Sequence, residues 1–315
     1  MHLEPIFFNP IFKERIWGGT ELRSFGYDIP SNITGECWAF SAHPNGQSVV
    51  KSGPFEGKTL GELWSEYKEL FGYKEGDRFP LLTKILDANN DLSVQVHPND
   101  EYAYKYENGE LGKTECWYIV DCKEGAEIIF GHHAKTEEEL KAMVAENCWD
   151  ELLNKVPVKK GDFFFVPSGT IHAIGEGIII LETQQNSDTT YRVYDYDRLD
   201  DAGNKRELHI QESINVTTVP HQAQQQDIKV EEQEGMTKTT FVKCEYFTVE
   251  KWEVKGTSNH KQTKDFLLCS VIEGNGVVKT EVGEFSYQKG DHFLLPNKMG
   301  GFILEGISEL IVSYI

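Results

Sequence analysis

The segment KKGDFFFVPSGTIHAI at residues 159–174 returns as QKGDHFLLPNKMGGFI at 288–303, with Lys-Gly-Asp, an aromatic-rich run and a proline at matching offsets. A tight turn feeding a strand that a proline closes is the hairpin element that recurs in a jelly roll, so the repeat predicts two related β-barrel units. The copies differ at one telling position. His172 of the first falls opposite Gly301 of the second, so any chemistry resting on this histidine is confined to the first unit. The second is expected to be structural.

The rest of the chain supports a mostly β fold, all-β in class, with short helical insertions. Apolar runs such as ECWAFSAH (36–43), CWYIVDC (116–122), DFFFVP (162–167), GIIILET (177–183), FLLCSVIEG (266–274) and HFLLPN (292–297) are bounded by Gly, Pro, Asn or Asp and read as strands. Only two helices are expected. One lies near 59–71, where Thr59 and Glu62 match a capping box and Leu60, Leu63, Tyr67, Leu70 and Phe71 recur at helical spacing. The other lies near 136–153, opened by Thr136 and Glu139 and continued by Leu140, Met143 and Val144. The stretch TTVPHQAQQQDIKVEEQEG (217–235) is polar and lacks apolar periodicity. It suggests a boundary between a catalytic unit over 1–225 and a smaller β unit over 236–315.

Charge narrows the partners. With 31 Lys and Arg against 51 Asp and Glu, the formal charge of −20 repels nucleic acid and anionic lipid. A small anionic substrate remains open, because surface charge is screened beyond about 8–10 Å and a few convergent cations decide the local field. No run approaches 18 uninterrupted apolar residues, and the N-terminal stretch lacks the order of a signal peptide, so no membrane association is expected. The six cysteines contain no CxxC pair; reduced thiols in a cytoplasm are the simplest account.

One constellation carries chemistry. In LSVQVHPND (92–100), strand alternation points Gln95 and His97 to one side and Val94 and Val96 to the other, and Pro98 suits a strand end near a cleft. Glu115 opens the run ECWYIV, and His172 ends the turn VPSGTIH. Two histidines and a carboxylate, with or without an amide oxygen, can hold a catalytic divalent metal while leaving a position open; the set suits zinc and also non-haem iron(II). Adjacent His132 and His133 point to opposite faces and are expected in a surface loop, as His43 is at a turn. His292 stands where Phe163 stands in the first copy and is expected to be packed or exposed rather than a ligand, while His2, His209, His221 and His260 sit in polar or terminal contexts. Cys116, beside Glu115, faces the opposite way and is expected in the core.

Four ordered blocks extend this reading. FPLLTKILDANNDLSVQVHPND (79–100) resembles the signature block of the type I mannose-6-phosphate isomerases, zinc-dependent enzymes of the cupin superfamily. GKTECWYIV (112–120) resembles their Lys-x-Glu block, VPSGTIHAI (166–174) their Pro-x-Gly-x-x-His block, and LETQQNSDTTYRVYDYDR (181–198) the segment that carries their active-site arginine. The resemblance implies two cupin barrels, the second without metal, and one zinc held by Gln95, His97, Glu115 and His172. It places Lys84, Lys113, Glu182, Asp188 and Arg192 around a small sugar-phosphate substrate. Gly112 departs from members that carry a histidine just before the lysine, so a proton-transfer role for that histidine cannot operate here. The long helical insertion of larger members is also absent.

Physics assigns roles to the same set. Interconverting an aldose phosphate and a ketose phosphate passes through an enediolate, whose charge a Lewis acid stabilises while acid/base groups move the proton. Asp188, Glu182 and Lys113 are candidates for that transfer. Arg192 suits the phosphate or the developing oxyanion, and Lys84 supplies a second charge. An iron(II) cupin dioxygenase and a non-enzymatic sugar-binding cupin are the alternatives. Monomer and homodimer both remain open.

Overall fold

Apolar strands give the chain sheets to bury, and the computed structural model arranges them as antiparallel layers over the described residues 3–199, 203–224 and 226–315. His2 lies outside these.

A six-stranded sheet runs, in spatial order, through Phe163–Val166, Glu115–Cys122, Ile178–Gln185, Leu81–Ala88, Thr34–Phe40 and Ile11–Gly19. Facing it, a five-stranded sheet runs through Leu153–Pro157, Glu127–His132, His172–Ile174, Val94–Val96 and Tyr191–Tyr194. Trp17, Leu86, Trp117, Ile119, Ile128, Val166, Ile174 and Ile180 fill the space between them. The outer face of the five-stranded sheet buries Val94, Val96, Ala173 and Tyr191 with Leu140 and Val144 of the Glu137–Ala145 helix. This is a jelly-roll barrel with an interior.

The C-terminal sheet has nine strands and its own core around Trp252, Val271, Phe293, Leu304 and Leu310. It also takes in two strands from the start of the chain, Ile6–Asn9 and Val49–Val50. A third core cluster joins residues from both halves, among them Phe40, Leu63, Phe71, Cys116, Phe247 and Phe266.

The repeated turn is the same object in both copies. Asp162 Oδ2 accepts from Lys159 N at 3.0 Å and Asp291 Oδ2 from Gln288 N at 2.9 Å, with Gly161 and Gly290 at φ +91° and +89°. Their surroundings differ: a Cβ on Gly290 would lie 2.1 Å from Phe25 O, whereas one on Gly161 meets only Tyr118 Oη at 4.0 Å. Gly161→Ala is therefore expected to cost about 1–2 kcal/mol for its left-handed backbone, and Gly290→Ala a further ~1–3 kcal/mol for the clash. Urea denaturation checks this, and equal costs at the two sites would refute it.

Several local details depart from expectation. Thr59 and Glu62 form the reciprocal capping box, but the helix from Leu60 stops at Glu66 and continues as a separate turn over Lys68–Phe71. The second helix divides into Glu137–Ala145 and Trp149–Leu152 at Asn147, whose φ is +57°. Its Glu139 carboxylate bonds Lys135 N instead of Thr136 N. Helices at Asp100–Tyr106 and Ile210–Val216 were not expected; at two turns each they are too short to show a strong period. The polar stretch ends in an exposed edge strand, Lys229–Gln233. His132 is buried at the end of a strand, its Nε2 on Thr218 O at 3.0 Å, rather than in a surface loop. His43 is likewise buried, and His292 is packed between Tyr27 and Ser270. Among the described residues no helix is long and apolar enough to cross a membrane.

Candidate metal centre

Register, rather than proximity in sequence, assembles the site. Directly opposed residues of antiparallel strands share a face. His172 is paired with Gln95, and Gln95 in turn with Arg192, so all three lie on the inner face of the five-stranded sheet while Val94 and Val96 face outward. On the facing sheet Trp117, Glu182, Lys84 and Trp38 form one cross-strand row, with Glu115 two residues before Trp117 on the same face. Cys116 points to the opposite core. The histidine and carboxylate blocks thus project toward each other across the barrel interior.

There they meet. Ligand-type atoms of His97, Glu115 and His172 lie within 4.8 Å of one another, and all three residues are buried. His97 Nε2 is 3.4 Å from Glu115 Oε2, and His172 Nε2 is 3.4 Å from Glu115 Oε1. His97 Nδ1 sits 2.9 Å from Thr189 O and His172 Nδ1 2.8 Å from Thr170 O. A carbonyl oxygen only accepts, so each Nδ1 carries the hydrogen and each Nε2 presents its lone pair to the centre. Burial, with Lys113 adding to it, pushes His97 down to about 3 against the pull of Glu115. Burial lowers His172 as well. Glu115 pays a burial penalty that Lys113 overcomes, so its carboxylate is held well below the usual range.

Neutral imidazoles beside an ionised carboxylate are the protonation states a divalent metal requires. His172 Nε2 is moreover buried without a hydrogen bond, a cost that a metal bond would remove. The residues fit the group. Gln95 lines the cleft above the three and stands in register with His172.

Above the centre opens a cavity of about 340 Å³. Lys84, Lys113, Glu182, Asp188 and Arg192, all expected around a substrate, line it. Lys113 Nζ is 3.1 Å from both Glu115 Oε2 and His97 Nε2; burial opposes its charge, but Glu115 and Glu182 outweigh this and raise it further. Glu182 lies 3.5 Å from Lys84, and burial together with the charge of Glu115 pushes it up. Asp188 accepts from Asn45 Nδ2 at 2.9 Å; Lys84 overcomes its burial and keeps it below the usual range. Arg192 donates to Ser93 Oγ at 3.3 Å and Glu207 O at 2.8 Å. Trp117 Nε1 spans Glu115 Oε1 and Glu182 Oε2 at 3.0 and 3.3 Å, coupling the two carboxylates.

Sequence reasoning missed part of the wall. Arg15, Glu36 and Arg206 also line the cleft, Arg15 paired with Glu36 at 2.8 Å and Arg206 with Asp195 at 2.7 Å. No motif isolates them. Gly112 N donates to Asp100 Oδ1 at 2.8 Å, and a Cβ there would lie 2.5 Å from Asn99 C and Asp100 N, so this backbone has no room for the histidine of other members.

A jelly-roll barrel whose interior gathers two histidine nitrogens and a carboxylate is the architecture of a cupin with a metal-type centre. Comparison with known proteins narrows the class. The profile described as phosphomannose isomerase type I, catalytic domain, matches residues 6–119, and that described as mannose-6-phosphate isomerase, cupin domain, matches 237–315. A mannose-6-phosphate isomerase of Bacillus subtilis (strain 168) is 61% identical over 315 residues, covering 100% of both chains, and one of Streptococcus mutans is 54% identical, covering 99% of this chain and 98% of the relative. The crystal structure of a mannose 6-phosphate isomerase from Bacillus subtilis superposes with a TM-score of 0.98 at 56% identity, covering 99% of this chain and 100% of that one. The chain belongs to the type I phosphomannose isomerase family.

Proposed function

We propose that this chain interconverts mannose 6-phosphate and fructose 6-phosphate through an enediolate, at a zinc ion held by Gln95, His97, Glu115 and His172. The observation that carries this reading is the buried His97–Glu115–His172 cluster, its lone pairs converging beneath a cleft rich in cations. Against a chain of charge −20, the cleft lining brings together, among the described residues, Arg15, Lys84, Lys113, Arg192 and Arg206 with three carboxylates, Glu36, Glu182 and Asp188. That local excess suits a phosphorylated sugar.

When bound, the metal would supply Lewis-acid stabilisation of the charge that develops on the substrate oxygens. Lys113, a persistent cation beside the ligands, holds that same charge electrostatically. Glu182, raised by its surroundings, can keep or release a proton, whereas Asp188 stays ionised as an acceptor. Lys84 binds the phosphate end and orients the sugar, and Arg192, on the inner face beside Gln95, acts on the charge that develops on the substrate. Residues 1–225 form the catalytic unit in this reading and residues 236–315 a metal-free support.

Chelation is expected to abolish isomerisation of mannose 6-phosphate, and zinc to restore it to the starting rate. A coupled assay with elemental analysis of the purified chain checks this. Full zinc occupancy without turnover would refute the proposal, and iron with oxygen consumption would replace it with a dioxygenase.

A further inference from the structure

A second cavity, of about 470 Å³, opens on the outer face of the five-stranded sheet. It is separate from the cleft. On the His172–Ile174 strand, His172 and Ile174 face the barrel interior while Ala173 lines the outer cavity. The Tyr191–Tyr194 strand carries a bulge between Arg192 and Tyr194: Arg192 is paired with Gln95 on the inner face, yet Tyr194 is paired with Val94, whose side chain faces outward. Without the extra residue Tyr194 would share the face of Arg192 and enter the catalytic cleft. Bulges next to active sites re-aim side chains in this way, and here one sends an aromatic ring to the second cavity.

The aromatic wall is continuous. Trp149 stacks on Tyr194 at 4.5 Å and 15°, and Tyr194 lies 4.9 Å from Tyr196. Tyr196 and Asp197 both adopt left-handed backbone, φ +55° and +54°. Asparagine and glycine occupy such a pair without strain, whereas a tyrosine costs about 1–2 kcal/mol. The chain accepts that cost to hold a ring at the cavity wall. Around the rings stand acceptors, Asp91, Glu127, Asp150 and Glu151, and donors, Lys155 and Asn147. The acidic excess disfavours a phosphate, and the interspersed donors set the site apart from a cage for a bare cation. Hydroxyl groups both donate and accept, and the C–H face of a pyranose covers an aromatic ring. We propose that this cavity is a binding site for a neutral saccharide, distinct from the phosphosugar site.

Isothermal titration with a panel of neutral methyl glycosides of mono- and disaccharides tests it. Saturable binding of at least one, with a Kd in the millimolar range or below, is expected, weakened at least ~10-fold in both Trp149→Ala and Tyr196→Asn. Because Tyr196→Asn relieves backbone strain, its thermal midpoint should equal or exceed that of the parent, so lost binding there cannot be ascribed to unfolding. Silence from the whole panel, binding that survives both substitutions, or binding of choline in place of the glycosides would overturn the assignment.

Discussion

Replacing His172 by alanine is expected to strip the metal from the purified chain and to lower kcat/KM at least ~10³-fold, about 4 kcal/mol of transition-state stabilisation. The size of the effect follows from the geometry. Among the described residues His172 supplies one of two imidazole lone pairs at the centre, its Nε2 3.4 Å from Glu115 and without a hydrogen bond of its own. Removing it leaves His97, Glu115 and the neutral amide oxygen of Gln95, a set with a single imidazole that competes poorly with water for the ion. His97→Ala should behave alike, since its Nδ1 is fixed by Thr189 O as that of His172 is by Thr170 O. An alanine keeps the backbone pairing of the His172–Ile174 strand to both neighbours, so far-UV circular dichroism should stay at parental values while elemental analysis reads the loss. One equivalent of zinc retained by His172→Ala would remove this histidine from the ligand set.

The site was legible in proportion to how much of it is local. Strand alternation alone put Gln95 and His97 on one face, and the repeat alone confined a histidine to the first barrel. Convergence of Glu115 and His172 on that face depends on register between strands distant in sequence, which no local pattern encodes; the resemblance supplied it before the structure displayed it. Arg15 and Glu36 escaped because an isolated charged residue on a strand looks the same whether it faces water or a cleft, and Arg206 because it sits in an irregular segment with no periodicity to orient it. His132 escaped for the opposite reason: burial depends on the segment around Thr218 that covers it. Likewise, the joining of Ile6–Asn9 to the C-terminal sheet is a tertiary choice, since an apolar strand can pair with any compatible edge. The repeated turn was legible because its glycines and aspartates act within four residues.

Arg192→Ala separates metal binding from chemistry. Zinc content is expected to remain at the parental level, because the Arg192 hydrogen bonds go to Ser93, Glu207 and His209, and its strand neighbour Gln95 is the weakest of the proposed ligands. Activity is expected to fall about 10²–10³-fold, the usual loss when a charged donor to a developing oxyanion or phosphate is removed, about 2.7–4 kcal/mol. How that loss divides is informative. If the guanidinium binds the phosphate equally in ground and transition states, KM rises and kcat holds; if it stabilises charge only as the enediolate forms, kcat falls and KM holds. The position of Arg192, in register with Gln95 and so on the same inner face as His172, favours the second outcome over a purely peripheral phosphate contact. Arg192→Lys should then recover only part of the loss, since an ammonium keeps the charge but not the planar fork that Ser93 and Glu207 O aim into the cleft. Loss of zinc in Arg192→Ala, or full recovery with lysine, would sink this division of labour between a centre that holds the metal and a cation that acts on the substrate.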